Sequence, residues 1–155
     1  MTLADIIDAR AVLANVKAQN KKQLLQELSQ VMAGLVAVDH RLVYETLLRR
    51  EKLGSTGLGQ GLAIPHGRLA TISRVYGLFA RLATPIAFDS PDHEPVDLVF
   101  VLLAPDHQGA DHLTALARIS RLLREPSTLA KLRGTDTAEG LYAILTEPAA
   151  KQSAA

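Results

Sequence analysis

The chain has 155 residues, 48% of them hydrophobic, which suits one compact domain on the usual scale of about 100–200 residues and excludes a disordered chain. With 17 Lys and Arg against 16 Asp and Glu the net charge is +1, so no global field draws it to nucleic acid or to an anionic membrane. Cysteine is absent, which excludes a disulfide scaffold, thiolate catalysis and Cys-based zinc sites.

The start, Met1 to Asp8, has no basic region and carries two early acids, so it does not read as a signal peptide. Ala11–Val16 reads as a short β-type run. Leu24, Leu25, Leu28, Val31, Met32 and Leu35 follow the i, i+3, i+4 period of an amphipathic helix that stops between Gly34 and Val38. Asp39 can cap a second helix through Leu42, Val43, Leu47 and Leu48, ending near Leu53-Gly54. Gly54 to Gly67 holds five of the ten glycines, a loop that must turn tightly or approach something closely, with Leu62–Ile64 as a short strand inside it. Val75–Leu82 reads as a strand and Pro85–Phe88 as an edge or turn segment.

Leu98–Leu103 is a continuous apolar run, most simply a buried central strand. The run extends to Ala104 and is far below the roughly 18 residues that span a bilayer, so a cytoplasmic protein without membrane insertion is expected. Gly109 or Asp111 starts a helix carrying Leu113, Leu116, Ile119 or Ser120, and Leu123, closed by Pro126. Two short helices follow, Ser127–Arg133 and Thr137–Leu145, and residues 147–155 should fray. Interleaved helices and strands make the class α/β, a single domain over 1–146 with a mixed sheet flanked by helices.

The near-neutral total hides an asymmetry. Arg49 to Arg81 contains six bases and one acid, Glu51, whereas Asp89 to Asp111 contains six acids and no Lys or Arg. A basic stretch inside a balanced chain is what a small-anion site would show. A nucleotide P-loop fails within it, because Gln60-Gly61 stands where Lys-Ser/Thr is required. A dinucleotide fingerprint fails too, with Leu62 at the last glycine position. There is no Gly-x-Ser-x-Gly elbow for a serine hydrolase.

His66 lies between Pro65 and Gly67, a stiff residue without an N–H and one without side-chain bulk. That context presents an imidazole in an open position, and its ordinary pKa near 6.5 leaves a neutral, nucleophilic nitrogen at cytoplasmic pH. A plain turn with an incidental histidine is the bland alternative. His112, at a helix start, shares a stripe with Leu116, Ile119 and Leu123, so its ring should point inward. His107 lies in Asp106–His112, which offers metal ligands only superficially, without His-x-x-x-His or Cys spacing. His93 and His40 read as loop and solvent-facing residues. No metal and no cofactor are expected.

The segment from Arg50 to Gly67, Arg-Glu-Lys-Leu-Gly-Ser-Thr-Gly-Leu-Gly-Gln-Gly-Leu-Ala-Ile-Pro-His-Gly, resembles the signature of enzyme IIA proteins of the fructose/mannitol/nitrogen-regulatory phosphotransferase class. Pro85–Phe88, Pro95–Leu98, His112-Leu113 and Leu116 also look like family landmarks. The resemblance covers roughly residues 3 to 146 and implies the type-2 IIA fold, shared with phosphotransferase/anion-transport-type proteins. A free-standing chain of this length most resembles the nitrogen-regulatory branch.

The resemblance implies that His66 accepts a phosphoryl group on Nε2 from a phosphorylated HPr-like carrier. It also makes Arg50 the charge-stabilising arginine, suited to hold two phosphoryl oxygens, and His112 a positioning histidine. Ser55, Thr56 and the glycine-loop N–H groups, Gly67 included, are candidate phosphate donors. Leu58, Leu62 and the surface around Gly67 are the expected docking face. Regulation of target proteins, such as potassium-transport or sensor proteins, is implied by the branch. Two alternatives are a sugar-specific IIA passing phosphate to a IIB component, and a binding module that lost the chemistry.

Overall fold

The apolar run beginning at Leu98 becomes the spine of the sheet. The structure is a computed structural model that describes residues 2–107 and 109–147. In chain order its elements are α1 (Leu3–Ile6), β1 (Ile7–Val16), α2 (Lys21–Val36), α3 (His40–Lys52), β2 (Gly57–Gly59), β3 (Leu62–Ala63) and β4 (His66–Leu69). There follow β5 (Tyr76–Ile86), β6 (Val96–Pro105), α4 (Gly109–Leu123), α5 (Pro126–Arg133) and α6 (Ala138–Leu145).

The sheet order is β1-β5-β6-β3-β2, with β4 also on β6. β6 pairs antiparallel with β5 and parallel with β3 and β4, and β1 lies parallel to β5, so the sheet is mixed as expected. A strand flanked on both sides by others and covered on both faces must be apolar throughout, and Leu98–Pro105 is buried at every position. α2 buries Leu24, Leu25, Leu28 and Met32; the Asn20 side chain accepts from the Gln23 N–H at its start, and Ala37 ends it in the left-handed region. Asp39 caps α3 by accepting from the Arg41 N–H.

β3 and β4 are one line of chain in two pieces. Both run beside β6 in a constant register, from Leu62 opposite Leu98 to Leu69 opposite Pro105. The interruption falls at Ile64-Pro65, where proline cannot donate. The Pro65 carbonyl still accepts from the Leu102 N–H at 3.0 Å, so the line stays attached and delivers His66 opposite Leu102.

Several expectations are revised. The β-run at Ala11–Val16 is the second half of a longer strand. Val75–Leu82 and Pro85–Phe88 are not two segments: one strand runs to Ile86, with a register shift between Arg81 and Ile86 that takes Pro85 past β6 where no ladder N–H is needed. Pro126 occupies the first turn of α5, where its missing N–H is harmless. α1, β2 and β4 are too short to leave a periodic signal. Of the tail expected to fray, residues 148–155 lie outside the described residues.

Candidate functional site

Alternation along β4 puts His66 and Arg68 on one face and Gly67 and Leu69 on the other. On the Gly67 side, α3 packs so closely that a Cβ on Gly67 would stand 2.5 Å from Thr46 Cγ2. On the His66 side, α4 brings His112 against the strand. The expectation of an open histidine is therefore corrected: His66 opens a strand and is half-buried.

His66 Nδ1 lies 2.8 Å from the Ile64 carbonyl oxygen. A carbonyl only accepts, so Nδ1 carries the proton and the lone pair is left on Nε2. Burial holds this imidazole below its ordinary pKa, and the Arg50 charge adds to that, against the Ile64 bond and Glu51. The ring is thus neutral and nucleophilic at neutral pH.

His112 is buried, as its helical register implied. Arg68 Nε donates to its Nδ1 at 3.2 Å, and because an arginine can only donate, the proton of the neutral ring sits on Nε2. That Nε2 is buried and has no hydrogen-bond partner. Burial first, then repulsion from His66 in its protonated form and from Arg68, pushes the His112 pKa down to about 4. The rings of His66 and His112 meet edge to face with centroids 5.5 Å apart.

Arg50, in the last turn of α3, donates from Nη1 to the Gly54 carbonyl at 2.9 Å, which anchors the guanidinium at the mouth of the glycine loop. The neighbouring Glu51 points inward instead. Its carboxylate is buried and accepts from Thr56 N–H (3.0 Å), Thr56 Oγ1 (2.6 Å) and Lys21 Nζ (3.0 Å). Ser55 Oγ donates to the Phe88 carbonyl at 2.7 Å and accepts from the Gly57 N–H. The reading of Ser55 and Thr56 as phosphate donors is altered by this, because both hydroxyl protons are committed within the protein. Their visible work is to fasten the loop, and the Thr56 carbonyl accepts from the N–H of Ile64, the residue whose carbonyl holds His66. Gly67 sits in the β4–β6 pairing, where its lack of a side chain is what α3 requires.

Leu62 does not belong to a docking face: it is buried in the hydrophobic core, on β3 beside β6. Leu58 is exposed as expected, and Leu53 and Leu113 are exposed as well. His40, His93 and His107 are exposed. Among the described residues no three His, Asp or Glu side chains gather to hold a metal; Gln108 and the Asp111 side chain lie outside that description.

A nucleophilic histidine, a second histidine with an unpaired N–H and a nearby arginine are an arrangement for handling a phosphoryl group. The model of the phosphoenolpyruvate-dependent sugar phosphotransferase system EIIA 2 family matches residues 5–147. The chain belongs to this family. It is 51% identical to the nitrogen regulatory protein of Bradyrhizobium diazoefficiens over 150 residues, covering 97% of this chain and 98% of that one. The crystal structure of nitrogen regulatory protein IIA-Ntr from Neisseria meningitidis superposes with a TM-score of 0.88 at 38% identity, over 93% of this chain and 99% of that chain. The IIA mannitol structure from Escherichia coli shares the fold, with a TM-score of 0.75 at 20% identity over 89% and 97% of the two chains.

Three contributors to this EIIA site escaped the sequence reading. Arg68 stood in the basic stretch without a role, Glu51 stood inside the motif as its one acid, and Lys21 lay in a distant helix. The i, i+2 relation of His66 and Arg68 on a strand is a signal that would have found Arg68. Nothing local pairs Lys21 with Glu51.

Proposed function

We propose that this chain is a regulatory phosphocarrier of the cytoplasm, in which His66 takes a phosphoryl group from a phosphorylated HPr-like carrier. The observation that carries the reading is the polarity of the two rings: His66 holds its proton inward on Nδ1, and His112 holds its own on an Nε2 with nothing to donate to. The Nε2 lone pair of His66 attacks phosphorus, and the donor's P–N bond breaks with its electron pair returning to the donor imidazole. No proton needs to leave His66. The charge spread over the three phosphoryl oxygens is met by Arg50 and by the His112 N–H. The new group adds close to two negative charges, enough to shift affinity for a target protein by about 1–3 kcal/mol.

The nitrogen-regulatory branch is favoured by identity, 51% and 38% for relatives of that name against 20% for the mannitol protein. The test is intact mass after incubation with phosphoenolpyruvate, enzyme I and an HPr-type carrier. A gain of one acid-labile, base-stable phosphoryl group, lost in His66→Ala, is expected; no gain with any competent donor would refute it. Rapid onward transfer to a IIB partner would turn the reading to the sugar-specific branch.

A further inference from the structure

We propose that Arg68 is a positioning residue of the phosphoryl-transfer site, acting through His112 by holding that ring with its N–H on Nε2. The proposal rests on the phosphocarrier reading and extends it to a side chain outside the motif that carried that reading. Two independent observations meet at this point. Arg68 Nε reaches His112 Nδ1 from the same face of β4 that presents His66. The Nε2 of His112 is buried without a partner.

A buried donor without an acceptor is unfavourable, so an unassisted His112 would relax. Two relaxations are open to it: the ring can flip, or the proton can move to Nδ1. The flip would put a C–H where the N–H now points, and the proton shift would put a lone pair there, which repels arriving phosphoryl oxygens; neither donates as an N–H does. Arg68 blocks both, because a guanidinium has no lone pair and accepts nothing, leaving Nδ1 only the role of acceptor. Its fixed positive charge also opposes protonation of His112, so the ring meets the phosphoryl group as a neutral donor. The price of the orphaned N–H is borne by the free form and relieved when a phosphoryl oxygen accepts from it, which favours the charged transition state over the resting site.

Arg68 is itself exposed, so it can be replaced without opening the core. Arg68→Met keeps the length of the side chain and removes both donor and charge; Arg68→Lys keeps a donor and the charge. Nitrogen NMR of the imidazoles in the unphosphorylated protein reads the ring state directly and needs no phosphoryl donor, so it succeeds or fails independently of the phosphocarrier reading. In the wild type His112 should show a single form, protonated on Nε2. Arg68→Met should show a mixture or the Nδ1-protonated form, with kcat for phosphorylation of His66 reduced about tenfold, equivalent to 1.4 kcal/mol, and KM for the donor carrier little changed. Arg68→Lys should recover the single form and most of kcat. The proposal is overturned if Arg68→Met leaves the His112 form unchanged. It is equally overturned if the substitution raises only KM, which would make Arg68 a docking contact, or if Arg68→Lys regains the ring form but not the rate.

Discussion

Replacing Glu51 with alanine tests whether the glycine loop is held by one buried carboxylate. The carboxylate is nearly inaccessible, with a side-chain exposure of 2%, and receives three hydrogen bonds. Removing it strands the Thr56 N–H and hydroxyl and leaves the Lys21 ammonium without its buried partner. Breaking a buried pair from one side costs about 3–5 kcal/mol. The lower end applies here, because Lys21 keeps a 3.3 Å contact with the exposed Asp89 and lies over the Phe88 ring, while Thr56 keeps nothing. A loss of about 3 kcal/mol is therefore expected, a fall in Tm on the order of 10 °C for a chain of this size. Glu51→Gln retains one oxygen for a Thr56 donor and should lose about 2 kcal/mol. Lys21→Met strands the buried carboxylate without its cation, but both Thr56 bonds still hold that charge, so it should lose about 2 kcal/mol, less than Glu51→Ala. Urea unfolding of the three variants measures the series, and Glu51→Ala should also phosphorylate more slowly, since Thr56 holds Ile64 and Ile64 holds His66. A Glu51→Ala protein within 1 kcal/mol of wild type, or one less affected than Lys21→Met, would refute the reasoning.

Stability should also depend on pH through His112. Its pKa is about 4 folded against 6.5 as a free histidine, so between those values the unfolded chain binds more protons and stability rises with pH. The contribution is complete above pH 6.5 and is lost as pH falls toward 4, about 3 kcal/mol in all, with the lowered pKa of His66 acting in the same direction. Urea midpoints from pH 7.5 to 4.5 should fall more steeply for wild type than for His112→Asn, and parallel curves would show that His112 is not buried neutral. Gly67→Ala should destabilise by about 1–3 kcal/mol, because the new methyl meets Thr46 Cγ2. Adding Thr46→Ser, which deletes that methyl and keeps the hydroxyl on the Leu42 carbonyl, should recover most of the loss; thermal melts that add independently would show that the contact is not the cause.

The helices and the motif were legible because their signals are local. Asp39 caps within two residues of itself, the Leu24–Met32 stripe repeats at the helical period, and β6 is apolar from Leu98 to Pro105 because that stretch lies at the centre of the sheet. The candidate histidine and its loop were legible for a different reason: proline, histidine and glycine side by side, in a run that resembles a known family. Pro85 misled because proline reads as a strand boundary, and only the sheet shows a register shift that carries it within one strand.

What the sequence determined by itself was therefore the class and the family, and it singled out His66 as the histidine proposed to react. The tertiary structure decided which atoms are free to act. Leu62 looks as available as Leu58, yet packing in the core buries the first and leaves the second exposed on the edge strand β2. Ser55 and Thr56 look like phosphate donors until Phe88 and Glu51 are seen to accept their protons. The proton on His112 Nε2 is dictated by Arg68, which meets it only because β4 and α4 pack together. Periodicity and capping depend on contacts a few residues apart and so can be read along the chain. The direction of a hydrogen bond depends on the partner that folding brings across the domain, and no local pattern records it.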